Sequence, residues 1–253
     1  MPNALSGTVA IVTGASSGIG EATAEALVLD GARVVIAARR KDRLDALAER
    51  LGEHGDVLAL EVDVTDEAAA RAMVERTVGE FGRLDTLVNN AGVMLLGPVV
   101  DAPVDEWRRM VELNLLGLLY CTHAALPHLL KAADGDPRGV ADIVNVSSVA
   151  GRVARAGSGV YNATKFGVGA FSESLRQEVA GRHVRVSLVE PGATATELAS
   201  HNRPEVLENM RARFGSIELL AAEDIAGAVS FIVTRPRRVA VNEVLVRPSE
   251  QEG

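Results

Sequence analysis

The sequence predicts an α/β domain built on a doubly wound, seven-stranded parallel sheet with helices on both faces. Short Val/Ile/Leu-rich runs alternate from end to end with longer Ala/Leu/Glu/Arg segments, the pattern of βαβ units whose strands are covered on both sides. No repeat, low-complexity tract or linker-like composition interrupts the 253 residues, so a single domain spanning residues 1–253 is expected. A glycine-rich turn directly follows the first strand-like run, the position at which such sheets meet a ligand.

In chain order, the first strand is placed at Thr8–Thr13, and the turn after it opens a helix over Gly18–Asp30. The run Arg33–Ala37 forms the second strand and Lys41–Leu51 the helix behind it. Val57–Val62 and Asp66–Phe81 repeat the unit, and Thr86–Asn89 precedes a long helix at Val104–Lys131. The stretch Ala133–Gly139, holding Asp134, Gly135, Asp136 and Pro137, reads as a surface loop. Asp142–Ser147, the helix Val160–Gly181, Arg185–Glu190, the helix Ala222–Thr234 and Glu243–Arg247 complete the series. The near-continuous apolar content of these strands implies burial on both faces. Glu197–Ile217 is polar, with helical stretches and no strand. It is read as a mobile substrate cover next to the carboxyl ends of the strands.

Composition narrows the function. One cysteine excludes a disulfide scaffold and Cys-rich metal sites. No stretch of about 18 apolar residues is expected to span a bilayer, and Met1–Ser6 lacks the basic flank and apolar run of a signal peptide, so no membrane role and a cytoplasmic location are expected. A net charge of −8 with 3% aromatic residues disfavours nucleic-acid partners. The basic group Arg235, Arg237 and Arg238 reads as a solvated turn. Cys121 sits in an apolar run and reads as core. His123 and His128, five apart, do not share a helical face, so no metal site is expected. Trp107 packs or lines an opening, and His201 lies on the surface of the cover. Positive charge is almost all arginine: the lysines are Lys41, Lys131 and Lys165.

The turn reads Thr13-Gly14-Ala15-Ser16-Ser17-Gly18-Ile19-Gly20. Its glycines permit a tight turn and let backbone N–H groups approach a pyrophosphate at a helix N-terminus, where the helix dipole favours an anion. The spacing is G-x-x-x-G-x-G, and its place between strand and helix marks a Rossmann-type dinucleotide site. The second strand ends Ala37-Ala38-Arg39-Arg40. A carboxylate that would hold a ribose 2′-hydroxyl is missing there, and two guanidiniums able to clasp a 2′-phosphate are present, which points to NADP(H). Tyr161 and Lys165 stand at i and i+4 on one helical face. At 4 Å the ammonium would favour phenolate by up to about 4 kcal/mol, roughly three pKa units, enough to make the tyrosine an acid/base group near neutrality.

With Asp63-Val64, Asn89-Asn90-Ala91-Gly92, Asn114, Ser148 and Pro191-Gly192…Thr196 in the same order, the chain resembles the short-chain dehydrogenase/reductase family along essentially its whole length. The resemblance implies that Tyr161 exchanges a proton with the carbonyl or alcohol oxygen and that Ser148 polarises that oxygen. It implies that Lys165 binds the nicotinamide ribose and lowers the tyrosine pKa, and that Asn114 orders a water beside Lys165. The cofactor set it implies is Gly14, Ser16, Ser17, Gly18, Ile19, Gly20, Arg39, Arg40, Asp63, Val64, Asn90, Ala91, Gly92, Tyr161, Lys165, Pro191, Gly192, Thr194 and Thr196, with Asn89 supporting strand packing.

The ending Val241–Pro248 and the run Gly92–Pro98 are similar to the branch that holds clavulanic aldehyde reductase and the NADP-dependent serine and 3-hydroxy-acid dehydrogenases. The leading expectation is therefore an NADP(H)-dependent carbonyl reductase or alcohol dehydrogenase acting on a small or medium polar substrate. Met94, Leu95, Val149, Arg152, Arg155 and the cover would shape its pocket, with the arginines able to receive a carboxylate. The runner-up is 3-oxoacyl-carrier-protein reductase or 3-hydroxy-acid dehydrogenase activity. A non-catalytic NADP-binding regulator is the reading of another class, and the intact Asn114, Ser148, Tyr161 and Lys165 argue against it. The resemblance also implies a homo-oligomer, a tetramer or dimer, assembled through the helices Val104–Lys131 and Val160–Gly181.

Overall fold

A computed structural model describes residues 3–135 and 137–252; Asp136 of the expected Ala133–Gly139 loop lies outside the described residues. Seven parallel strands run in the order β3-β2-β1-β4-β5-β6-β7. They are β1 Val9–Thr13, β2 Arg33–Ala38, β3 Val57–Glu61, β4 Thr86–Asn89, β5 Ala141–Val146, β6 Val184–Pro191 and β7 Glu243–Val246. Strand order reverses between β1 and β4, where Val12 pairs with both Ile36 and Val88. That reversal opens a crevice at the carboxyl ends of the strands.

Helices cover both faces. On one, α1 (Gly18–Leu29), α2 (Lys41–Gly52) and α8 (Ala222–Val233) bury Leu27, Leu44, Leu51, Ile225 and Val229 against Val12, Ile36 and Val144. On the other, α3 (Glu67–Phe81), α5 (Leu118–Ala133) and α6 (Gly159–Val179) pack Met73, Cys121, Leu129 and Leu175 against Ile11, Val35, Leu87 and Ile143. Cys121 is thus core, and burial pushes its thiol up to about 12. Asp66 starts α3 by accepting from the amides of Ala68 and Ala69 at 2.8 and 3.1 Å, which ties up two of the four donors that a helix start leaves open.

Two expectations are corrected. Burial on both faces holds for the inner strands, but the sheet edges differ: β7 alternates exposed and half-buried residues, and β3 is mostly half-buried, because an edge strand lacks a neighbour on one side. The long helix expected at Val104–Lys131 is divided into α4 (Val104–Val111), a π-helical turn over Glu112–Gly117, and α5. Asn114 sits in that wider turn, a feature common at functional sites. By length and composition alone the stretch Val104–Ala133 would cross a bilayer, with mean hydropathy 1.3 over its most apolar window. Its packing on α3 and on β4 and β5 makes it part of the domain core.

Between β6 and α8 the chain leaves the sheet. A helical turn at Glu197–His201 and α7 (Pro204–Phe214) form the excursion. A bridge between Thr194 and Leu220 ties its two ends together, with the Ala195 amide donating to the Leu220 carbonyl at 2.8 Å and the Leu220 amide to Ala193 at 3.0 Å.

Candidate active site

A cleft of about 1170 Å³ runs along the carboxyl ends of the strands, large enough for a dinucleotide and a small substrate. Every residue expected to touch a cofactor lines it except Gly20, which lies behind the turn; Asn114 likewise stands behind the wall. At Gly14, with φ +67°, an added Cβ would come within 2.8 Å of the Ala91 backbone. A Cβ at Gly20 would meet the Asn90 amide and the Gly14 carbonyl. These contacts explain why the backbone here tolerates no side chain. Asn90 binds the turn by donating to the Thr13 carbonyl at 2.9 Å, while Thr13 Oγ1 accepts from the Asn90 and Ala91 amides at 3.0 and 3.2 Å. The Ser17 side chain makes no capping bond at the start of α1, so the first amides of that helix face the cleft as donors for an anion.

At the end of β2, Arg40 folds back over this turn. Its Nε and Nη2 donate to Ser16 Oγ at 3.0 and 2.8 Å, and Nη2 donates to Ser17 Oγ at 2.7 Å. Arg39 is exposed at the cleft rim and acts electrostatically on Asp63, whose carboxyl lies below its ordinary value. Burial of Asp63 pulls the other way, but its bonds from Thr65 and the Arg39 charge outweigh it.

Asn114 Oδ1 accepts from the Val93 amide and its Nδ2 donates to the Val93 carbonyl, both at 2.8 Å. This clamp holds the segment after β4 against the π-helical turn. Asn89 donates to Asn145 and Thr122 at 2.9 and 3.0 Å inside the sheet and is a packing residue, as the sequence suggested.

Ser148 follows β5 and opens a short turn, accepting from the Ala150 amide at 3.1 Å. Tyr161 and Lys165, both buried, lie one turn apart on α6. The lysine gives its side-chain hydrogen bond to the sheet. Its Nζ donates to the Val146 carbonyl at 2.8 Å and lies 5.9 Å from the centre of the tyrosine ring. Burial pushes the phenol up to about 12, against a smaller opposite pull from its hydrogen bond with Ser148. The same burial lowers Lys165 to about 8. In the ligand-free chain desolvation therefore dominates both groups, and it favours the neutral form of each.

Of the expected pocket residues, Met94, Val149 and Arg155 line the cleft. Leu95 turns away and packs with Met110 and Tyr161, and Trp107 packs at the edge of the same cluster. Arg152 also points elsewhere. Its Nε donates to Glu190 Oε1 at 2.7 Å and its Nη2 binds Glu243, because Glu190 on β6 is buried and requires a cation. His201 is exposed at the cleft rim. Sequence reasoning missed Asn202, which pins the excursion after β6 by accepting from the Leu96 amide at 2.7 Å and donating to the Met94 carbonyl at 2.9 Å. It also missed Arg43 and Glu197, which are paired across the cleft rim at 2.7 Å. Arg43 lies beyond the Arg39-Arg40 pair and its distant partner gives no local signal.

Comparison with known proteins adds to this geometry. The model of the short chain dehydrogenase family matches residues 8–207. An uncharacterised oxidoreductase of Staphylococcus saprophyticus is 37% identical over 246 residues, covering 96% of both chains. The closed form of a serine dehydrogenase complexed with NADP+ superimposes with a TM-score of 0.86 at 33% identity, covering 97% of each chain. A metagenomic short-chain oxidoreductase in complex with NADP gives 0.80 at 33% identity, covering 97% of this chain and 99% of that one.

Proposed function

Because the chain belongs to the short-chain dehydrogenase family, we propose that it is an NADP(H)-dependent oxidoreductase interconverting a carbonyl compound and its alcohol. The observation that carries this reading is the convergence of Ser148, Tyr161 and Lys165 on one wall of a cleft whose other end is the glycine turn. Nucleotide binding fits the residues present: side-chain-free backbone at Gly14 and Gly20, unoccupied amides at the start of α1, and arginines at the end of β2. When bound, the nicotinamide cofactor supplies or accepts the hydride.

The chain's own groups handle the proton. Tyr161 holds a proton through the neutral range and donates it to the carbonyl oxygen during reduction. Ser148, close enough to act on that phenol, donates to and polarises the same oxygen. Lys165 is held by Val146 with ammonium hydrogens left for the ribose hydroxyls, and its charge favours phenolate when an alcohol must lose a proton. Asn114 fixes the Val93 segment and orders the water beside Lys165. Gly14, Ser16, Ser17, Gly18 and Ile19 receive the pyrophosphate. Arg39 and Arg40 receive the 2′-phosphate, Asp63 and Val64 the adenine, and Asn90, Ala91 and Gly92 the adenosine ribose. Pro191, Gly192, Thr194 and Thr196 receive the nicotinamide.

Residues 197–217 serve as the substrate cover. Arg155, at the cleft, is the residue placed to receive a substrate carboxylate, which favours polar hydroxy- or oxo-acids and aldehydes over acyl-carrier substrates. We place the enzyme in the cytoplasm as a homo-oligomer. Exposed Val104, Val111 and Phe166 on α4 and α6 are the apolar surface on which copies would meet. A panel of aldehydes, ketones and hydroxy acids assayed with NADPH and NADH tests the reading. Turnover favouring NADPH supports it; tight NADPH binding with no turnover on any member would favour a regulatory protein.

A further inference from the structure

Arg40 and Arg43 stand one helical turn apart at the start of α2, and both point at one carboxylate. Glu197 Oε2 accepts from Arg40 Nη1 at 2.8 Å, and Glu197 Oε1 and Oε2 accept from Arg43 Nη1 at 2.7 and 2.9 Å. The other edge of the Arg40 guanidinium is held by Ser16 and Ser17 of the glycine turn. The carboxylate therefore lies beside the end of the cleft where the adenosine half of a dinucleotide would rest. All three side chains are roughly half exposed, at 41%, 43% and 46%, so an incoming ligand reaches them without opening the fold.

We propose that Glu197 is an internal competitor for the 2′-phosphate of NADP(H), and that Arg43 joins Arg40 in binding that phosphate once Glu197 is displaced. The inference rests on the NADP(H) reading above and adds two residues that set cofactor preference. A carboxylate spanning two guanidiniums presents the same oxygen-to-fork geometry as a phosphate. It carries one negative charge where a phosphate carries close to two near pH 7, so exchange at a site that also has Arg39 nearby favours the phosphate. Both cannot remain, because two anions between the same arginines repel. The two arginines hold the Glu197 carboxyl down at about 2, so the competitor is an anion at every working pH. An NAD(H) ribose offers only a hydroxyl there and leaves the Glu197 pairs intact. Glu197 also begins the helical turn Glu197–His201, so the exchange frees the first residue of the cover.

Binding of NADP+ and NAD+ to the purified protein, measured by isothermal titration calorimetry without substrate, tests the proposal. Glu197→Gln is expected to bind NADP+ about fivefold more tightly than the unmodified chain, the gain from removing two exposed ion pairs that oppose binding, with NAD+ affinity unchanged. Arg43→Ala is expected to bind NADP+ about tenfold more weakly, again with no change for NAD+. If Arg43 served only to hold Glu197, its removal would instead strengthen NADP+ binding, and that result overturns the proposal. A Glu197→Gln variant with unchanged or weaker NADP+ affinity overturns it too, while preference for NADP+ in the unmodified chain would leave the cofactor reading standing. Equal affinity for NADP+ and NAD+ in the unmodified chain overturns both.

Discussion

Lys165 is anchored below Tyr161 by the Val146 carbonyl, at 2.8 Å, and not by the phenol itself. The end of β5 therefore places the ammonium, and α6 places the tyrosine above it. Both groups are buried, and burial moves them in opposite directions, to about 12 for the phenol and about 8 for the lysine.

The first prediction concerns pH. On the proposed mechanism reduction draws on the protonated phenol, which is fully present below its pKa, so kcat/KM for carbonyl reduction should be flat through the neutral range and fall on the alkaline side. Oxidation uses the deprotonated form and should rise with pH. Profiles in both directions check this; a reduction rate that climbs between pH 7 and 9 would contradict it.

Lys165 also has a stability consequence. Its pKa is lowered from 10.5 to about 8, so the unfolded chain binds more protons across that window and stability rises with pH there. Below pH 8 the buried charge costs up to about 3 kcal/mol. Lys165→Met removes that cost and leaves the Val146 carbonyl without its donor, a loss of about 1 kcal/mol. The variant should be inactive yet roughly 2 kcal/mol more stable at pH 7, with the gain gone by pH 10.5. Urea unfolding at the two pH values measures it.

Arg152 and Arg155 are expected to play different roles. Arg152→Ala leaves the buried Glu190 without its cation, so the protein should lose stability by about 2 kcal/mol, discounted from a fully buried pair because Arg152 is 41% exposed. KM for carboxylate substrates should not change. Arg155→Ala should raise that KM about tenfold or more with little effect on kcat, through loss of a charged hydrogen bond. Steady-state kinetics of both variants on one acid substrate separates the two roles.

The glycine turn supplies a fourth test. Gly20→Ala drives a methyl into the Asn90 amide and the Gly14 carbonyl, displacing the turn that should receive the pyrophosphate. Nucleotide affinity should fall at least about tenfold, with a stability loss of about 1–3 kcal/mol. Calorimetric titration with NADP+ and a thermal melt give the two numbers.

Much of this architecture was legible because it is locally encoded. The alternation of strand and helix patterns located all seven strands to within a residue or so at each end, and the glycine turn and Tyr161–Lys165 spacing were readable from short stretches. What escaped depends on distant partners. The π-helical turn around Asn114 has no distinct periodicity in a run of leucines. Arg152 looks like a pocket residue until Glu190 and Glu243 are brought beside it from two other strands. The tyrosine's raised pKa follows from burial on all sides, which a helical spacing of four does not report. Arg43 and Glu197 meet only because the excursion after β6 returns beside the start of α2.

The most direct measurement of the central claim is carbonyl-dependent oxidation of NADPH by the unmodified chain and by Tyr161→Phe, with NADP+ affinity determined on both. Tyr161→Phe is expected to bind NADP+ normally and to lose a factor of about 10²–10⁴ in kcat, the worth of a positioned proton donor. Undiminished turnover in Tyr161→Phe with intact nucleotide binding would contradict it.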